Sequence, residues 1–374
     1  MEKERIYFNN SEKPTIGVEV ELLILDKDTL DLYPGAPVIL DVFKDSENVK
    51  QELLNSIVEI NTNICNDVQE VRKDLTKTIR NVVNIAEKND WCLVSMGTHP
   101  FSQWKDQSIT DKERYTRLVN RYQWPARRLL ITGVHVHVGV ESGEKSIAIT
   151  NGLLRYLPHM IGMSANSPIF DGEISGLAST RTKLFEGMPT TGLPHVLKNY
   201  SEFQKFMRTL ITAKTIDSIR EVWWDIRPHP GFGTVEIRAF DAVPTIEEIV
   251  NLAAFAQCLV VGISDHYDNG TQLPILDSWV NSENKWRATR YGLDAEIVVD
   301  DIGHPKSLLA EILRTIDQML PTANKLNCVT ELLNLREMVE KKQMPYLRQL
   351  EMYKENKDFK PILQKAVEEL KEGL

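Results

Sequence analysis

The 374-residue sequence predicts an α+β protein built on an antiparallel sheet. Three observations lead there. Strand-like stretches of period two and helix-like stretches of period 3.6 do not alternate as a doubly wound parallel fold requires. WWDIRP and TVEIRAFD flank HPGFG, a Gly- and Pro-rich turn consistent with a hairpin. The tail from Ser307 to Leu374 reads as amphipathic helix throughout. With 42% hydrophobic and 26% charged residues the chain is ordinary globular material, long enough for a sizeable core. No repeat, low-complexity stretch or linker divides it, so residues 1–374 are read as one domain with a helical carboxy-terminal part from about 307.

The net charge of −9 argues against a nucleic-acid surface, because phosphate backbones are held by clustered Lys and Arg. An anionic ligand must be met locally, by a few arginines or metal ions. The amino-terminal MEKERIYFNN lacks the apolar core of a signal peptide. No uninterrupted apolar run approaches the roughly 20 residues of a membrane span, so the expected location is the cytoplasm, without a membrane partner. Cys65, Cys92, Cys258 and Cys328 are widely spread with no CxxC pair, which suggests reduced, buried thiols and neither a disulfide framework nor a thiolate zinc site. A homodimer or a larger homo-oligomer stays open.

The elements follow in chain order. TIGVEVELLIL, Thr15 to Leu25, is a strand with Glu19 and Glu21 on one face and Val18, Val20 and Leu22 on the other. Leu53 to Ile64 is a second strand, with Ile57 and Glu59 sharing a face. Val68, Val71, Leu75, Ile79, Val82 and Ala86 have helical spacing. WCLVSMGTHP is a short strand, and Asp111 to about Leu130 a helix interrupted at Pro125. GVHVHVGV is a strand with His135 and His137 on one face. Asn151 to Met163 is apolar and partly helical. Ser164 to Pro194 is rich in Gly, Ser, Thr and Pro, and reads as a long substrate-covering loop. After the hairpin, Thr245 and Glu248 form a capping box for a long apolar helix running to about His266.

Four of these strands repeat one design. TVEIRAFD puts Glu236 and Arg238 on one face, as the first strand does Glu19 and Glu21. If the strands lie side by side with those faces together, one surface carries Glu19, Glu21, Glu59, His135, His137, Glu236 and Arg238. Four carboxylates and two imidazoles there need cations, and Mg²⁺ or Mn²⁺ suits such oxygen-rich ligands. Taken singly, each motif also fits a solvated or cross-strand-paired face, and the HxH pair a zinc or amidohydrolase-type site. No GxxxxGK[ST] loop occurs, so a nucleotide would be held by metals and arginines. Arg181, Arg227, Arg238, Arg287 and Arg290 are the candidates. Arg287 and Arg290, three apart, share a helix face.

The segments GVEVEL (Gly17 to Leu22), GTHPF, HVHVG, SANSP, WDIRPHPGFGTVEIRAFD and WRATRYGL together resemble the glutamate-cysteine ligase type 2 family, carboxylate-amine ligases related to glutamine synthetase in fold. The resemblance covers nearly the whole chain. It implies a glutamine synthetase-like catalytic fold, a curved antiparallel sheet forming a funnel flanked by helices and lined by acids that hold Mg²⁺ and ATP phosphates. On that reading Glu19, Glu21, Glu59, His135 and Glu236 are metal ligands, and His137, Arg181, Arg227, Arg287 and Arg290 contact ATP or substrate. Arg238 stabilises the transferring phosphoryl, with Glu59 also in the catalytic set. The implied reaction activates the γ-carboxylate of L-glutamate as an acyl phosphate, which an amine displaces. The family's usual amine is L-cysteine, giving γ-glutamylcysteine; no residue in the sequence itself selects cysteine over another small amine. A guanidino kinase-like phosphotransferase and a non-enzymatic cation-binding module are the alternatives.

Overall fold

The strand that opens the chain becomes the middle of the fold. The computed structural model describes residues 6–271, 273–300 and 302–374, and the charged stretch Met1–Arg5 lies outside them. Seven strands form the main sheet: β1 (Ile16–Asp26), β2 (Val49–Gln51), β3 (Ile57–Asn61), β4 (Trp91–Val94), β5 (Gly133–Gly139), β10 (Ile226–His229) and β11 (Thr234–Asp241). Their order is β10-β11-β5-β1-β3-β2, with β4 pairing the far half of β1, and every pairing is antiparallel. Three two-stranded pairs stand apart: β6 (Ile169–Phe170) with β7 (Glu173–Ile174), β8 (Thr191–Gly192) with β9 (Trp223–Trp224), and β12 (Glu296–Val298) with β13 (Pro305–Ser307).

One face of the sheet is apolar because the alternation makes it so. Val18, Val20, Leu22 and Ile24 of β1 and Val134, Val136 and Val138 of β5 are all buried on it. Against this face pack α2 (Val68–Lys88), through the helically spaced Val68, Val71, Leu75, Ile79, Val82 and Ala86, and α9 (Ile246–Asp268). Each such aliphatic side chain contributes roughly 1.5–3 kcal/mol when fully buried. The Thr245 hydroxyl accepts from the Glu248 N–H while the Glu248 carboxylate accepts from the Thr245 N–H, the capping box expected from sequence. At 23 residues α9 is long and apolar enough to cross a membrane, but 83% of its most apolar window is buried, as in a core helix.

The other face is polar up to Glu21 and then closes. Beyond it, Leu23 and Leu25 join Ile57, Cys92 and Val94 in a second apolar cluster. A funnel with polar walls and an apolar floor follows from that switch within one strand.

The structure corrects several boundaries. The helix expected over Asp111–Leu130 is two, α3 (Glu113–Tyr122) and α4 (Trp124–Arg127), broken at Gln123 with φ 56° and with Pro125 in the first turn of the second, where its missing N–H costs nothing. Trp223 and Trp224 do not extend the hairpin strand, since they pair with β8 in parallel. The stretch before Met163 divides into α5 (Gly143–Leu153) and α6 (Leu157–Ser164). The tail is four helices, α11 (Leu308–Lys325), α12 (Val329–Glu340), α13 (Pro345–Asn356) and α14 (Lys360–Lys371).

Ser164–Pro194 is mostly scaffold and not a free covering loop. It carries β6, β7, β8 and α7 (Thr180–Phe185), and its Ser167 and Ser179 hydroxyls donate to the buried Asp241 carboxylate at the end of β11. Its longest exposed run is the tip, Gly172 to Gly176.

Candidate active site

The registers bring the sequence's alternating charges onto one wall. Glu19 stands opposite His135, Glu21 opposite Glu59, and Glu236 opposite both His137 and Arg227. Two glycines make room. The Gly133 N–H donates to Glu21 at 2.6 Å, and a Cβ there would come within 2.2 Å of the Arg181 Nη2. Gly233 in the hairpin has φ +68°, and a Cβ would meet the Asn9 carbonyl oxygen at 1.8 Å.

Glu236 is the most tightly held member. Arg227 reaches its Oε2 through Nε at 2.8 Å and Nη2 at 2.5 Å, and Arg238 reaches its Oε1. Burial works against its charge, yet the two guanidiniums hold its carboxyl far below the usual range. The remaining Arg227 Nη1 donates to the Ile219 and Val222 carbonyls, so Arg227 acts chiefly to fix Glu236. Arg238 sits where the β11–β5 register slips between Ile237 and Phe240, and its buried Nε has no hydrogen-bond partner among the described residues. Arg181 of α7 is buried, donates to the Arg238 carbonyl at 3.2 Å and lies 3.9 Å from Asp241.

Around these cations stand two groups of three potential metal ligands, each group's donor atoms all within 4.8 Å of one another: Glu19, His137 and Glu236, and Glu21, Glu52 and Glu59. The first contains His137 in place of His135, whose Nδ1 is 3.1 Å from the Glu19 carboxylate. His135, expected as a metal ligand, lies outside that group, and His137, expected at a phosphate, lies within it. His137 Nε2 is buried without a hydrogen bond among the described residues, 3.4 Å from Glu19 and 3.9 Å from Glu236. Burial lowers its pKa, but Glu236 and Glu19 outweigh that and raise it. Burial, with Arg238 adding to it, pushes His135 down to about 4.

The second group is an electrostatic problem awaiting a cation. Burial, and to a lesser extent the charge of Glu59, pushes Glu21 up to about 7 against the pull of Arg181. Burial and then the neighbouring carboxylates raise Glu52 well above its usual range, and burial with the Glu19 charge raises Glu59. Three carboxylates this close cannot all ionise unless a positive charge joins them. Both groups therefore fit a hard divalent ion.

Three connected cavities follow β1. One of about 520 Å³ at its start is lined by Asn9, Asn48, Thr62, His137 and Phe232 among others. A central one of about 330 Å³ holds Glu19, Glu21, Glu52, Glu59, His135, His137, Arg227, Glu236 and Arg238. A small one of about 100 Å³ lies past Arg238, with Arg181 on its wall.

Arg287 and Arg290, expected to contact ATP or substrate, line none of these three cavities. They do share a face of α10 (Ser278–Tyr291), but it is the outward one: Arg287 pairs with Glu283 at 2.7 Å and Arg290 stands over Tyr291. The inward residue is Lys285, buried and bonded to Asp225 and Glu186, both at 2.6 Å. Residues the sequence did not single out are Glu52, Asn61, Arg114 and Lys50. Asn61 donates to Glu59 at 2.8 Å and lies two residues along the same strand, so alternation could have found it. Glu52 precedes β3 in an irregular segment and carries no periodic signal. His99, whose Nε2 meets the Leu30 carbonyl at 2.9 Å, is a packing residue.

Residues 15–368 match the profile of the glutamate-cysteine ligase family 2. A Frankia alni protein provisionally named glutamate–cysteine ligase 2-1 is 44% identical over 342 residues, 90% of each chain. A Thermobifida fusca protein provisionally named glutamate–cysteine ligase 2 is 40% identical over 374 residues, 98% of this chain and 94% of that one. Among solved structures, the glutamate–cysteine ligase of Francisella tularensis in complex with AMP superposes with a TM-score of 0.72 at 14% identity, over 97% of this chain and 90% of that chain. A bifunctional glutathione synthetase from Pasteurella multocida gives 0.70 at 13% identity, over 96% of this chain and 52% of that one. At such identities the likeness speaks for the fold, the glutamine synthetase-like funnel expected from sequence.

Proposed function

The chain belongs to the glutamate-cysteine ligase family 2, and on that footing we propose that its funnel joins the γ-carboxylate of L-glutamate to a small amine such as L-cysteine, in the cytoplasm. Family membership makes it an ATP-dependent carboxylate-amine ligase; the identities of acid and amine are the proposal. The observation that carries it is the pair of three-ligand groups on one wall, with arginines beside them and no glycine-rich phosphate loop.

Joining a carboxylate to an amine in water requires activation. A γ-carboxylate oxygen of glutamate attacks the terminal phosphorus of ATP, and the bond to ADP breaks with its electron pair leaving on ADP. The amine nitrogen then attacks the acyl carbon, the carbon–oxygen bond to phosphate breaks, phosphate departs with that pair, and the nitrogen loses a proton. In this scheme Glu19, His137 and Glu236 would hold one divalent ion and Glu21, Glu52 and Glu59 another. Mg²⁺ or Mn²⁺, when bound there, would supply charge neutralisation to the phosphates.

The chain's own groups do the rest. Arg238, with an open Nε beside the carboxylates, meets charge developing on the transferred phosphoryl, and Arg227 keeps Glu236 ionised and oriented. His135 stays neutral near pH 7 and borders both inner cavities, so it can accept a hydrogen bond from substrate without adding positive charge. The 520 Å³ mouth fits the base and ribose of ATP, and the central cavity its phosphates with the glutamate.

The test is ADP and phosphate release with Mg²⁺, glutamate and a panel of amines, with the amide identified by mass. ADP with equimolar phosphate and an amide is the expected result. ADP with a phosphorylated guanidine and no free phosphate would instead mark a kinase, and no turnover with any amine a cation-binding module.

A further inference from the structure

The motifs SANSP and GTHPF supply no member of either three-ligand group, yet both close on one buried carboxylate. Asp241 ends β11, three residues after Arg238, where the strand is again in register with Gly133 of β5. Its Oδ2 accepts from the Asn166 N–H at 2.9 Å and the Ser167 hydroxyl at 2.6 Å, and its Oδ1 from the Ser179 hydroxyl at 2.8 Å. Its own N–H donates to the Ser164 hydroxyl at 3.2 Å. Gly97 makes this packing possible, since a Cβ there would come within 2.8 Å of Oδ2.

The same hydroxyls hold the helix that carries Arg181. The Ser167 hydroxyl accepts from the Arg181 N–H at 3.0 Å, and the Ser179 hydroxyl caps α7 by accepting from the Thr182 N–H at 3.3 Å. Each serine therefore ties the main chain around Arg181 to the carboxylate that the Arg181 side chain faces. The guanidinium lies against Gly133, with Nη1 3.9 Å from Asp241, the one acid within 4 Å of it among the described residues. Burial works against the Arg181 charge, and Asp241 is the foremost group opposing that effect. Fixed in this way, Arg181 Nη2 donates to the Arg238 carbonyl at 3.2 Å, while the Arg238 N–H donates to the Asp225 carbonyl at 2.8 Å. Both bonds matter because Arg238 stands in the register slip, where the regular ladder to β5 is interrupted. A buried ion pair carries a desolvation penalty that apolar packing avoids, and what Asp241 supplies instead is one fixed place for a cation.

We infer that Asp241 is a positioning residue for phosphoryl transfer: with Ser167 and Ser179 it fixes Arg181, and Arg181 fixes the backbone of Arg238, whose guanidinium meets the developing charge. Asp241 touches no reacting atom and acts only through that chain of contacts. The inference deepens the proposed ligase reading and rests on it.

The test is a double-mutant cycle on ADP release, with Asp241→Asn, Arg181→Gln and the two together, each rate taken per folded molecule. Asp241→Asn keeps the size of the side chain and removes its charge. Its kcat should fall about 10- to 100-fold, the scale of a small misplacement of a group at the reacting centre, while KM for ATP and for glutamate stays near the wild-type value. Residues that act as one unit are not additive, so the double variant should be no slower than the slower single variant. A second cycle pairs Arg181→Gln with Ser167→Ala, which keeps the carboxylate and removes only the bridge to the Arg181 N–H; it should show a smaller loss, again in kcat and again absent in the Arg181→Gln background. This cycle decides the matter if Asp241→Asn does not fold. A purely structural Asp241 would lower the melting midpoint and leave the kcat of the folded variant unchanged. That result, single losses that multiply in the double variant, or a loss confined to KM overturns the positioning role and leaves the ligase standing. Absence of ADP release from the wild type with every amine overturns both.

Discussion

Glu52 separates a structural from a functional role more sharply than any other single residue. It is one of three carboxylates with donor atoms within 4.8 Å, and both burial and its neighbours oppose its charge. Glu52→Gln removes one like charge and keeps the shape. Metal-free protein should therefore be stabilised, by on the order of 1 kcal/mol as read from the melting midpoint. ADP formation should nevertheless fall about a hundredfold, the usual cost of one contact to developing charge. A variant that is both more stable and fully active would remove Glu52 from the site. Arg238→Lys keeps the charge but loses the planar fork, and should fold while losing turnover to the same extent. A surface ion pair would instead give ~1 kcal/mol or less of stability and normal ADP release. Alternation made Glu19, Glu21, Glu59, His135, His137, Glu236 and Arg238 legible from sequence, because a period of two is a geometric statement about faces. Glu52 and Arg114 enter from segments with no such period, where only the fold determines what a side chain meets.

At the scale of elements, β1 and α9 divide the work. One strand supplies apolar contacts on one face and two acids on the other, and its switch to Leu23 and Leu25 closes the funnel. The α9 capping box was readable because its four residues are local. Thr245→Ala should cost about 1 kcal/mol in unfolding free energy with kcat unchanged, and a loss of turnover at full occupancy of the folded state would contradict a purely structural cap. Ser164–Pro194 misled because its Gly, Ser and Thr content resembles that of a free loop. Ser167 and Ser179 are spent on Asp241, a partner more than 60 residues away that no local pattern announces. The WRATR arginines lie away from the funnel cavities for a related reason. Helical spacing correctly gives them a common face, but not which face turns inward, and Lys285 with Asp225 and Glu186 takes that side.

For the molecule as a whole, two buried imidazoles away from the funnel contribute to a loss of stability in acid. Burial pushes His159 down to about 3 and His99 to about 4, below the 6.5 of an unfolded histidine. Their neutral form is favoured in the fold, so this stability is complete above pH 6.5 and is lost as pH falls toward 3–4, by up to about 1.4 kcal/mol per histidine per pH unit. Glu21, Glu52 and Glu59, whose pKa values are raised, act with the opposite sign in metal-free protein, losing stability as pH rises. Comparing wild type with His159→Gln at pH 7.5 and 5.5 isolates the histidine: the variant's melting midpoint should depend less on pH, and an equal dependence would contradict the assignment. All these features serve one claim, that the acidic wall activates a carboxylate by phosphorylating it. Glutamate labelled with ¹⁸O in its γ-carboxylate tests that claim directly, since the amine must expel phosphate carrying one oxygen from the acid. One ¹⁸O in each phosphate released with amide is the result expected, and unlabelled phosphate alongside amide would contradict the account.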